Sequence, residues 1–127
     1  MRRTIALGLV AAVAILAAAA LPGCGCQKQA VEATSGNIDI AKDAAVKTQL
    51  MMIKTGIQAY IASNGSAPPD ATQATLGSFV APWPTNPFDK APMKPGDAAG
   101  DYIYTPGGGT AFTLAVHLSD GTTSTAP

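Results

Sequence analysis

The chain has 127 residues, eight Lys plus Arg against eight Asp plus Glu, one His and two Cys, enough for a single domain. The basic excess that marks nucleic-acid binding is missing, and one His with two closely spaced Cys leaves the usual catalytic constellations almost without raw material. The hydrophobic share of 47% overstates the core, because residues 5–21 are one uninterrupted apolar run.

Arg2 and Arg3 precede that run, and polar residues begin soon after Leu21-Pro22-Gly23-Cys24. This is the order of a secretory signal, with a positive start and an apolar middle. Seventeen apolar residues also sit at the short limit for crossing about 30 Å of hydrocarbon, so an uncleaved helical anchor is the alternative. Leu21-Pro22-Gly23-Cys24 resembles the lipobox of bacterial lipoproteins, although Pro22 departs from the usual residue in its slot. The resemblance implies a signal peptide over 1–23, a lipid on Cys24, and a place in the bacterial cell envelope, membrane-anchored and facing the periplasm or the exterior. Losing 1–23 removes both Arg and leaves six Lys against eight acids. A disulfide between Cys24 and Cys26 would close a very tight loop, and a metal held by these two and His117 lacks further ligands.

Residues 24–36 are small and polar with no periodicity, and read as a lipid-anchored flexible spacer before a globular domain over 37–127. A helix is expected over about 38–64, with Asn37 or Ser35 as N-cap and Asp39 in its first turn. Val46, Leu50, Ile53, Ile57, Tyr60 and Ile61 fall on one face, and Lys47, Thr48, Thr55 and Gln58 fall outside it. Gly56 is a tolerated weak point, Met51 and Met52 are packing or surface, and Asn64-Gly65 followed by Pro68-Pro69 ends the helix.

Residues 65–100 form a long connection holding seven of the ten prolines. A short helix within 72–80 points Leu76, Phe79 and Val80 inward. In the stretch 81–88 the prolines hold an extended path, and Trp83 and Phe88 anchor it against the core or offer themselves to a partner. Two strands follow, 101–105 and 111–118, joined by a loop at 106–109; 122–125 adds an edge strand. Phe112, Leu114, Val116 and Leu118 share one strand face, which places His117 on the solvent side. Asp89, Asp97 and Asp101 read as solvated loop acids.

The long helix, the Asn86-Pro87-Phe88 segment, the Gly-Asp-Tyr-Ile-Tyr strand and the Phe-Thr-Leu strand ending in Ser119-Asp120-Gly121 together resemble a type IV pilin-like globular domain, nearest to the major pseudopilin of type II secretion systems. The resemblance covers roughly 38–123. It implies an α+β fold, a long N-terminal helix packed on a small antiparallel sheet, and a structural or interaction protein rather than an enzyme. Implied partners are the membrane, through the lipid, and other pilin-type or secretion-system proteins. It also implies a calcium loop at the terminal turn, where Ser119 and Asp120 are weak candidates because no further acid follows. Pilins carry a Glu in an apolar helix continuous with the spine; residues 5–21 have none, and a spacer would break the helix, which argues against entry into a filament by the usual route. A binding module for carbohydrate or peptide, built on the same fold as an envelope lipoprotein, is the alternative function.

Overall fold

The computed structural model describes residues 26–127, with side chains described from residue 34 onward. The signal segment and Cys24 lie outside the described residues. The elements are α1 (Cys26–Asn64), α2 (Gln73–Leu76), β1 (Tyr102–Gly108), β2 (Ala111–His117) and β3 (Thr123–Thr125). The fold is α+β: one long helix and a three-stranded antiparallel sheet in the order β1-β2-β3. Among the described residues no helix is long and apolar enough to cross a membrane.

Helix α1 is 39 residues, about 58 Å, and begins eleven positions earlier than Asn37, so the expected spacer is helical from Cys26. The reason lies in composition. The stretch 27–33 (QKQAVEA) consists largely of strong helix formers, and helix on both sides carries Ser35, Gly36 and Asn37 through positions that would favour a cap or a break in isolation. The C-terminal stop is as expected: Gly65 takes φ 77° and its N–H bonds Ile61 O at 2.7 Å.

The core is built where α1 crosses the sheet. Val46, Leu50, Ile53 and Ile57 are all at most 2% exposed, while Lys47, Thr48, Thr55 and Gln58 face solvent. Each of the four buried side chains contributes about 1.5–3 kcal/mol by leaving water. Opposite them stand Tyr102, Leu114 and Val116, brought to one face by the pairs Tyr102↔Val116 and Tyr104↔Leu114. Val80, Leu76 and Met93 close the cluster from the connection. Gly56 is more than a tolerated weak point: it is buried, and a Cβ there would strike the Val80 side chain, so the glycine sets how closely the segment after α2 approaches α1.

The sheet corrects two boundaries. Strand β1 runs on through Pro106 to Gly108, with a bulge between Pro106 and Gly108, so most of the expected loop is strand. Strand β3 is a short edge strand paired through Val116↔Ser124. Helix α2 is one turn only. Thr72 caps it, Leu76 is fully buried and Val80 nearly so, and Phe79 is half-buried with its ring edge-on to Tyr60, the centroids 5.5 Å apart.

Candidate functional site

The connection 81–101 has little regular structure, but several of its polar groups hold its shape. Thr85 bridges Pro92, Pro95 bridges Tyr102, and Met93 N–H bonds Pro84 O at 2.9 Å. Asn86, only 1% exposed, is the centre of this arrangement. Its side-chain amide donates to Ala99 O at 2.9 Å, its side-chain oxygen accepts Phe88 N–H at 2.9 Å, and its backbone bonds both Ala91 and Lys90. This buried carboxamide adds to the backbone bridges that hold the loop.

Trp83 and Phe88 sit on this frame. Trp83 is half-buried and donates its indole N–H to Met93 O at 2.8 Å, while Phe88 is half-buried with the Lys42 ammonium 5.3 Å from its ring centre. Both pack against the core cluster, and no ring contact joins them among the described residues. Each keeps part of its surface open to a partner while its attachment to the fold is already made.

At the terminal turn the two calcium candidates are engaged with protein. Ser119 donates its N–H and its hydroxyl to the two oxygens of Asp43, at 2.9 and 2.8 Å, which ties the turn to α1. Asp120 accepts the hydroxyl and N–H of Thr122 at 2.6 and 2.9 Å, and these bonds hold its carboxyl below the usual carboxylate range. Among the described residues no group of three or more His, Cys, Asp or Glu could hold a metal. Two carboxylates at one turn fall short of the six to eight oxygens calcium takes.

Two acid and histidine expectations need correction. Asp101 is 3% exposed rather than solvated, because the strand it opens is covered by the 94–100 segment, and its Oδ1 has no hydrogen-bond partner. The His117 side chain is 16% exposed rather than on open surface: Gly100 N–H bonds its carbonyl, and the loop lays Asp97 Oδ1 3.9 Å from Nε2. Asp89 and Asp97 are exposed as expected. Nothing in a strand pattern could signal that a later loop folds over its outer face.

The remaining polar cluster is structural. Asp70 accepts the hydroxyls of Thr75 and Thr72 and the Thr72 N–H, and the Thr75 bond above all holds its carboxyl below the usual range. Nearby, Tyr102 donates to Ala71 O at 2.6 Å and Tyr104 to Pro68 O at 2.7 Å. Burial pushes the Tyr102 phenol well above its ordinary value, with the charges of Asp70 and Asp101 adding to it. These phenols fasten the 68–71 segment to the sheet.

No family model matches the chain, and no curated protein or solved structure is significantly similar to it. The functional reading therefore stands on the residues and their arrangement.

Proposed function

We propose that this chain is an exported, membrane-anchored structural or interaction protein of the pilin or pseudopilin type, carrying a lipid on Cys24 in a bacterial cell envelope and working with a type II secretion or type IV pilus-type system without catalysing a reaction. The observation that carries the reading is the long helix. Its C-terminal half packs on the sheet, while residues 36–40 stand clear of it, with Ile38 50% and Ile40 67% exposed. Ile38 and Ile40, about 200° apart around the helix, leave apolar surface on two of its sides for neighbouring helices to pack against. The helix is unbroken over 26–36, which supports a spine longer than the sequence pattern implies, while the missing Glu still stands against it. Trp83 and Phe88, on a loop that loses little entropy on binding, supply the second contact surface.

Mass spectrometry of the mature N-terminus together with crosslinking in intact cells from positions 38, 40, 83 and 88 tests this. The expected result is a lipid on Cys24 and crosslinks to pilin-type or secretion-system proteins. An unmodified Cys24 or an intact Met1 overturns the lipid anchor. Capture of soluble glycan or peptide alone, with normal secretion after gene deletion, gives the case to the binding module.

A further inference from the structure

Between α1 and the end of the sheet lie two adjoining hollows, of about 340 and 300 Å³, that share Thr125 and Ala126 and so form one trough. Its helix wall is Lys47, Thr48, Leu50, Met51, Lys54 and Gln58, about 16 Å long. Lys47 and Lys54 stand two turns apart on it. No acid lines either hollow, and among the described residues neither lysine forms an ion pair, although Lys47 lies close enough to Asp120 for its charge to help hold that carboxyl down.

The other wall is the free edge of the sheet. Leu118 N–H bonds Thr122 O, and Ala126 N–H bonds Leu114 O, so Val116↔Ser124 is the pair that exchanges both bonds. By alternation the backbone groups of Thr123 and Thr125 turn away from β2, and no strand lies beyond β3 to receive them. The trough thus offers unpaired main-chain donors and acceptors, apolar surface at Met51, which is 39% exposed, and two lysines, of which Lys47 also acts on the Asp120 carboxylate.

We propose that this trough takes an extended acidic segment of another protein, which adds to β3 as a fourth strand and sets carboxylates against Lys47 and Lys54. Main-chain bonds to Thr123 and Thr125 give the attachment, and alternate side chains directed at α1 give the selectivity. About five residues of extended chain span the helix wall. The charges argue against the simplest other occupant: among the described residues the strands, YIYTPGG, AFTLAVH and TST, contain no acid, so a second copy has no strand of matching charge to offer. Trp83 and Phe88 line neither hollow, so this surface is separate from the pilin-like reading and stands or falls without it.

The test is amide NMR of the full chain in detergent micelles, titrated with a blocked heptapeptide of alternating Val and Glu and with its Val and Lys counterpart. Saturable binding of the acidic peptide below about 1 mM, with shifts gathered at Thr110–Leu114 and Thr123–Ala126, is expected. Lys47→Glu with Lys54→Glu should weaken it about tenfold or more, and Thr125→Pro, which deletes one outward N–H, should weaken it while leaving the spectrum of the fold intact. Equal binding of both peptides, shifts elsewhere, or no saturation by the wild-type chain overturns the proposal.

Discussion

Asn86 shows how much one residue settles in a loop with seven prolines. Its carboxamide lies against Gly100, which takes φ 83°, and a Cβ at that glycine would run into the Asn86 side chain. Gly100→Ala therefore meets both a disfavoured backbone conformation and a collision that breaks a buried hydrogen-bond set, and should cost about 3 kcal/mol or more. Gly109→Ala is the control: it has φ 58° but open space around it, so only the backbone cost of about 1 kcal/mol applies. Denaturant midpoints of the two variants measure the difference. The Asn-Pro dipeptide announces a turn at 86–87, yet its distant partners are invisible in sequence: Ala99 lies thirteen residues on, and Asp43 reaches Ser119 across seventy-six. His117 and Asp101 escape the sequence pattern because the 94–101 segment folds back over the sheet, and the strand alternation carries no sign of it.

At the scale of elements, periodicity is the signal that survives translation into structure. The helix face of α1 and the inward face of β2 were legible because each repeats the same demand over several turns or pairs, and a single buried residue cannot mimic that. Ile53→Asp places a charge among Leu50, Ile57 and Tyr102 with no partner, and should destabilise by more than about 4 kcal/mol. Thr55→Asp, on the exposed face, loses one hydroxyl bond to Met51 O and should stay within about 1 kcal/mol. Equal losses in thermal or denaturant melts would show that the stripe does not bear the core. What periodicity did not convey was the start of α1, because small polar residues carry no face and their helix propensity was outvoted by that of their neighbours. The trough at β3 is hidden for a related reason: the helix pattern places Lys47 outside the apolar face, and only the fold sets it and Lys54 beside a free strand edge.

Over the whole molecule, α1 divides into a part that belongs to the body and a part that does not. The border falls at Lys42 and Asp43, where the ammonium meets Phe88 and the carboxylate holds Ser119. Beyond it toward the N-terminus no tertiary packing supports Gly36–Ile40: a Cβ at Gly36 would meet nothing within 4 Å, and Ile38 and Ile40 are exposed. A helix of this length without tertiary cover is marginal in water, since each turn must be held by its own hydrogen bonds against a costly nucleus. The body is different, because opening α1 at Val46–Ile57 means exposing the core and takes most of the global free energy of unfolding. Hydrogen exchange on the full chain in dilute detergent should therefore show amides at 36–40 exchanging within about a hundredfold of the free-chain rate and those at 46–57 slower by about four orders of magnitude. On the proposed pilin-type reading, the amides at 36–40 should slow markedly in envelope preparations, where neighbouring helices would cover the two isoleucines. Unchanged exchange there would mean that this half of the helix has no packing partner, and a pilin-like role for it would fall.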